Sequence, residues 1–349
     1  MTPVAVAPVK RFRAVREVGT GIAAVGVKEL RGRMRGKRSF VILTINLLLI
    51  AGFAWMIESI AERGLSGGFG SSGFSASSEI GRQLFTAIMF LLTLITLILA
   101  PASTAGAISL EREKQTLDLL TTTPISSLAI ILGKLFSALS WILLLLAASI
   151  PIVALVFTFG GVAPEDVLRS YVILLGTAFA YGAIGLFVSA LVKRTQAATV
   201  INLVVVIFLT AGTAFIFLFW TAMTGNSGFL PDRPTQDDNP IDALTRRPPE
   251  ALMWFNPFVA QVDVICGTES GIGGSCQVIA AVTNEGNVFD GGFNGEFGVD
   301  RDSYWPRSVA AMAITGVILL ILSVQLVSPT RRWRLRLPRP RRRLAGGEA

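Results

Sequence analysis

The sequence predicts an all-α polytopic membrane protein with six transmembrane helices. The chain is 52% hydrophobic and only 15% charged over 349 residues. Its mean hydropathy of +0.62 is too apolar for a soluble protein of this size. Six apolar runs recur, each near the roughly 20 residues that cross a bilayer core. The basic residues also sort by loop. With the N-terminus inside, 23 Lys and Arg fall on the inner side and 8 on the outer, while 6 acidic residues fall inside and 17 outside. The Lys/Arg asymmetry sets the orientation and places both termini in the cytoplasm.

Residues 1–38 form a basic cytoplasmic arm. It is too long and too basic for a cleavable signal peptide, with Lys10, Arg11, Arg13 and Arg16 ahead of any apolar run. From Val15 to Lys37, apolar residues (Val18, Ile22, Val25, Val27, Leu30, Met34) recur at helical spacing among charges. That pattern predicts an N-terminal amphipathic interfacial helix on the inner membrane face. Gly19, Gly21 and Gly26 precede Lys28, but Val27 intervenes, Glu29 replaces Ser/Thr and no strand comes before, so the run is not a phosphate loop.

The transmembrane domain covers 39–328. Its spans are predicted at Ser39–Ile60, Gln83–Ala107, Leu128–Phe159, Leu168–Val192, Ala197–Met223 and Arg307–Val327. Pro151 predicts a kink or break near the outer end of the third. The outer connections are a Gly/Ser-rich loop at 61–82, a tight turn at Gly160–Asp166 and a long extracytoplasmic loop at 224–306. Within that long loop, Ala251–Ile265 is apolar and aromatic but too short to span, and reads as interfacial or re-entrant. Asn284–Asp302 is Gly- and Asp-rich without EF-hand spacing, and reads as a solvated loop. Cys266 and Cys276 lie in the same loop; on an extracytoplasmic face they would close one disulfide ring, and in a reducing compartment they would be free thiols.

On the inner side, the segment 108–127 is charged and favours a short helix between two apolar runs. Thr123 then Pro124 reads as an N-cap with Pro at the first helical position. Two readings of it stand: a polar loop, or a coupling helix on which a soluble partner docks. The tail 329–349 is polybasic and suits anionic headgroups; the net charge of +8 follows from topology and points to lipid rather than nucleic acid.

Polar residues inside the spans are few. Glu58 lies at an outer end, and Lys134 lies one turn into the third span, from where it can snorkel to the inner face. Asn46, Asn202, Thr93, Thr96, Ser103, Thr104 and Thr177 are expected to hydrogen-bond between helices. With no ionisable relay at mid-membrane, an ion- or proton-coupled transporter is disfavoured. With no histidine and only two cysteines, zinc sites, His-based acid–base chemistry and Ser-His-Asp triads are excluded, and no catalytic, cofactor or metal residue is assigned. Gly176/Ala180, Ala178/Gly182 and Gly185/Ser189 mark a close-packing face on the fourth span.

The run Glu111-Arg112-Glu113-Lys114-Gln115-Thr116-Leu117-Asp118-Leu119-Leu120, the Thr123-Pro124-Ile125-Ser126 turn and Gly133-Lys134 resemble the cytoplasmic segment of ABC-2 type transporter permeases. Phe159-Gly160-Gly161-Val162, Lys193-Arg194-Thr195 and Asn256-Pro257-Phe258 are similar as well. The subgroup resembled is that of the multi-copper-enzyme-maturation permeases, although nothing in this chain offers a copper ligand set. Gln115 departs from the pattern, where glycine is common.

The resemblance implies the multi-pass permease subunit of an exporter in a bacterial-type plasma membrane, without its own nucleotide site and driven by a separate ABC ATPase through alternating access. Two ATPase copies, carrying the ATP and Mg, would pair with two permeases, the second chain being the same or homologous. It implies that Glu111, Arg112, Glu113, Thr116, Leu117 and Leu120 form the ATPase-coupling surface. Glu111 and Glu113 would meet basic partner residues and Leu117 and Leu120 an apolar cleft, with an internal lock as the other role for Arg112. Two further classes stand beside this one: a membrane scaffold recruiting cytoplasmic partners, and a membrane-embedded enzyme, which lacks a pair of catalytic-type residues at useful spacing near a membrane face.

Overall fold

The computed structural model of the chain describes residues 32, 37–66, 73–115, 127–223, 249–267 and 304–327. Among them there is no strand. Six helical stretches are long and apolar enough to cross a membrane: Phe40–Ile60, Ile80–Glu113, Ser127–Phe159, Pro164–Leu191, Thr195–Trp220 and Tyr304–Val327. They correspond one to one with the six expected spans. The helices are α1 (Lys37–Ser66), α2 (Gly73–Ala105), α3 (Ser109–Glu113), α4 (Ser127–Ala154), α5 (Val156–Phe159), α6 (Pro164–Leu191), α7 (Thr195–Ile207), α8 (Thr213–Met223), α9 (Pro257–Gly267) and α10 (Tyr304–Val327). A π-turn, Phe208–Gly212, joins α7 to α8, and a short 3₁₀ turn, Glu250–Leu252, precedes α9.

The bundle is built around α6. Its most apolar stretch is 72% buried, against 6% for α1, and it packs most extensively on α2 and α10. The small-residue face explains how. A Cβ on Gly185 would collide with Thr104 Oγ1 and come within 2.9 Å of the Pro101 carbonyl oxygen, so α2 sits directly on that glycine. Gly182 admits Leu135 of α4 and Gly176 admits Val309 of α10, each at 3.4 Å from the absent Cβ. Gly316 of α10 in turn makes room for Phe179. The close-packing face is therefore used by helices of this same chain.

Several boundaries differ from expectation for identifiable reasons. The Gly/Ser-rich connection at 61–82 is mostly helical: α1 continues to Ser66 and α2 begins at Gly73. The start of α2 is fastened to the α5–α6 turn, where Ser77 Oγ donates to the Phe159 carbonyl at 2.9 Å. Gly160 and Gly161 hold φ of +80° and +81° in that turn, a region open to glycine at little cost. Pro164 then opens α6, with the Ala163 N–H donating to Asp166 Oδ2 at 3.3 Å, which shortens the expected turn. The third span breaks at Leu155, four residues past Pro151.

The neutral hydroxyls largely serve their own helices rather than bridging. Thr93 donates to the Met89 carbonyl at 2.7 Å and Thr177 to that of Ile173 at 2.8 Å; Ser103 and Thr104 bond back to Ala100 in the same way. A hydroxyl in a helix always has its own i−4 carbonyl within reach, which the interhelical expectation underweighted.

Candidate coupling site

One end of the bundle carries Lys134 and the Lys193–Arg194 turn and is called the basic end. Here α2 finishes at Ala105, a three-residue turn follows, and α3 leaves at Ser109. A Ser189 side chain on α6 receives that turn: its Oγ accepts from the Ile108 and Ser109 N–H groups at 2.9 and 3.0 Å. Ile108 and Ser109 are fully buried, so without Ser189 two main-chain donors would be stranded.

The three charged residues of α3 then engage three different elements. Glu111 pairs with Lys134 of α4 at 3.4 Å. Arg112 Nη2 donates to the Ala190 carbonyl near the end of α6 at 3.3 Å. Glu113 accepts from both the N–H and the hydroxyl of Thr195 at 2.8 Å each. Thr195 is the first residue of α7, where main-chain N–H groups have no helical acceptor. Glu113 thus caps α7 from a distant part of the chain, with its negative charge at the positive end of the helix. Gly106 allows the close approach, since a Cβ there would stand 3.2 Å from Thr195 Cγ2.

Of the expected coupling residues, the structure brings Glu111, Arg112 and Glu113 together and bonds each to another helix of the bundle, Glu113 from an exposed position. Arg112 takes the internal position. Lys134 does not snorkel to water: it is 6% exposed and paired with Glu111. Leu110 and Lys114 face outward, and Gln115 takes a left-handed turn at φ 55°. Thr116, Leu117 and Leu120 lie outside the described residues, as do Thr123, Pro124, the basic tail and all but the end of the amphipathic N-terminal segment. The sequence reading missed Thr195 as an acceptor's target and Ser189 as a hub. The signal for Thr195 was present: a Ser/Thr after a basic turn and before an apolar run is a helix start.

In the opposite half lies a second constellation. The 3₁₀ turn and α9 enter the bundle and pack on α6, α10 and α2. Three successive carbonyls at the turn accept from three side chains: Met253 from Tyr304 Oη at 2.6 Å, Trp254 from Ser308 Oγ at 2.7 Å and Phe255 from Tyr181 Oη at 2.8 Å. Tyr181 lies seventeen residues along α6, about 25 Å from its start at 1.5 Å per residue. α9 then returns, and Gln261 Nε2 donates at 3.2 Å to the carbonyl of Ser170, only six residues along α6. Within the bundle, Ala251–Ile265 thus goes down to one level of α6 and comes back, the course expected of a re-entrant segment. Asp263 receives the Trp305 N–H at 2.9 Å and so caps α10. Cys266, buried near the end of α9, is disulfide-bonded; Cys276 lies outside the described residues.

These features define a class: a polytopic helical membrane protein with a charged inter-span segment clamped to its bundle and a re-entrant helix before the last span. A profile of the ABC-2 family transporter proteins matches residues 23–260, more than half of the chain, and the chain belongs to that family. It is a multi-pass membrane permease of an ABC transporter, whose ATPase is a separate partner. The match takes in five spans, the coupling segment and the start of α9, and leaves α10 beyond it. No curated protein matches the chain.

Proposed function

We propose that the chain is the permease of an exporter, with the basic end in the cytoplasm and 108–127 as the segment through which an ATPase dimer drives alternating access. The observation that carries this reading is the triple attachment of α3. A force applied to five residues is delivered at once to α4 through Lys134, to α6 through Ser189 and Ala190, and to α7 through Thr195. A polar loop that merely joined two spans would need none of these contacts.

In this reading Glu111, Arg112 and Glu113 are the fastenings of the lever, and the partner is met by the outward groups. Those are Leu110 and Lys114, with Thr116, Leu117 and Leu120 continuing the surface. Two ATPases, holding ATP and Mg, serve two permease chains, identical or homologous. Cys266 and Cys276 form the disulfide of the outer loop, both termini are cytoplasmic, and the basic arm and tail rest on anionic lipid at roughly 1 kcal/mol per basic residue near the surface.

The test is purification of the tagged chain from its native membrane in mild detergent. A stoichiometric soluble ATPase with vanadate-sensitive hydrolysis supports the reading. A stoichiometric partner that is not an ATPase, with no hydrolysis, would replace it with the scaffold reading.

A further inference from the structure

The fifth span carries a polar fastening near each end of its regular part. At the basic end Glu113 holds Thr195. Fifteen residues on, about 22 Å along the helix, the ladder widens into the π-turn Phe208–Gly212. π-turns of this kind are uncommon and recur at functional positions. Here the carbonyl of Thr210 accepts from Thr213 Oγ1 at 3.2 Å and from Asn256 Nδ2 at 3.1 Å.

Asn256 is 4% exposed and uses both ends of its amide. Its Nδ2 grips the π-turn, while its Oδ1 accepts from the Phe258 N–H at 3.1 Å. Asn256 is therefore the N-cap of α9, with Pro257 at the first helical position. The amide is rigid, so a shift of the π-turn is felt at the first turn of α9. From α9 the connection continues through Asp263 to the start of α10. The amide on which it turns is neutral and buried, which suits a contact inside the bundle.

We propose that Asn256 is a positioning residue that hands movement of the fifth span to the re-entrant helix, so that displacement at Glu113–Thr195 reaches α9 and the head of α10. Its purpose rests on the transporter reading; the link itself is a property of the chain alone, without an ATPase.

The experiment is hydrogen–deuterium exchange on the full chain in lipid nanodiscs, for wild type, Glu113→Ala, Asn256→Ser and the double variant. Serine keeps a side-chain cap on α9 but is too short to reach Thr210. Glu113→Ala is expected to speed exchange at 196–202 in both backgrounds. At 257–267 it is expected to speed exchange about fivefold when Asn256 is present, the effect of one net hydrogen bond on a local opening equilibrium, and to leave the Asn256→Ser background unchanged. A purely structural Asn256 would raise exchange in α9 without abolishing the response to Glu113→Ala. No response at 257–267 in the Asn256 background, or an equal response in both, overturns the proposal. The outcome separates from that of the transporter reading: the expected cycle in a chain that binds no ATPase keeps the link and removes the lever's driver, whereas an ATPase-coupled chain without the cycle loses the link alone.

Discussion

The basic-end junction and the re-entrant turn both fasten one segment to several spans, but with different chemistry. At the basic end the fastenings are charged: Glu111 to Lys134, Arg112 to a helix-end carbonyl, Glu113 to a helix start. In the opposite half most are neutral, two tyrosines, a serine, an asparagine and a glutamine on main-chain carbonyls, with the Asp263 carboxylate at the start of α10 and the Glu250–Arg307 pair as the charged members. Charges are affordable at an aqueous edge, where water solvates whatever the partner leaves over. Deeper, an unpaired charge costs far more than a neutral group, and the surplus carbonyls of an irregular segment need donors that do not bring a charge with them.

The comparison can be broken most forcefully at the axis that both regions share. Gly185→Val drives a branched side chain into Thr104 and the Pro101 backbone. It is expected to destabilise by about 3 kcal/mol or more, read as a lost monodisperse peak and a fall in melting temperature in detergent. Gly52→Ala, on α1 with nothing within 4 Å of the added Cβ, is the matched control and is expected to stay within about 0.5 kcal/mol of wild type. Between these lies Tyr304→Phe. It removes the hydroxyl from a fully buried ring and leaves the Met253 carbonyl with the Asn256 N–H as its remaining donor, at an expected cost of about 0.5–1.5 kcal/mol. The Tyr304–Met253 bond is itself neutral, so that loss is expected to be the same at low and high salt, since the substitution removes no ion pair.

The two regions were also unequally legible. Six spans follow from hydropathy because a bilayer leaves helices almost no alternative. Glu111, Arg112 and Glu113 stand out because charges between apolar runs are conspicuous, and the small-residue stripe of α6 is visible by spacing alone. What those charges touch is not local information: Lys134 lies 23 residues from Glu111, and Thr195 lies 82 from Glu113. The re-entrant helix showed only as an apolar stretch too short to span. Its fastenings were hidden because Tyr181, Tyr304 and Ser308 look like ordinary span residues until a carbonyl arrives beside them. The π-turn left no mark, since Phe208–Gly212 reads as a continuing helix and the side chain that bonds to it, Asn256, lies 46 residues from Thr210.

The central claim is that the acidic residues of α3 hold the lever to the bundle instead of gripping the ATPase. Exchanging the partners of the Glu111–Lys134 pair tests it. Glu111→Lys places a second ammonium against the buried Lys134 and Lys134→Glu a second carboxylate against Glu111, so each single variant is expected to lose ATPase co-purification and vanadate-sensitive hydrolysis. The double variant, Glu111→Lys with Lys134→Glu, restores the pair with its sense reversed. The account predicts that it recovers most of both activities. A double variant that is folded and inserted, yet as defective as Glu111→Lys alone, would show that Glu111 is read by the partner itself and would contradict the account.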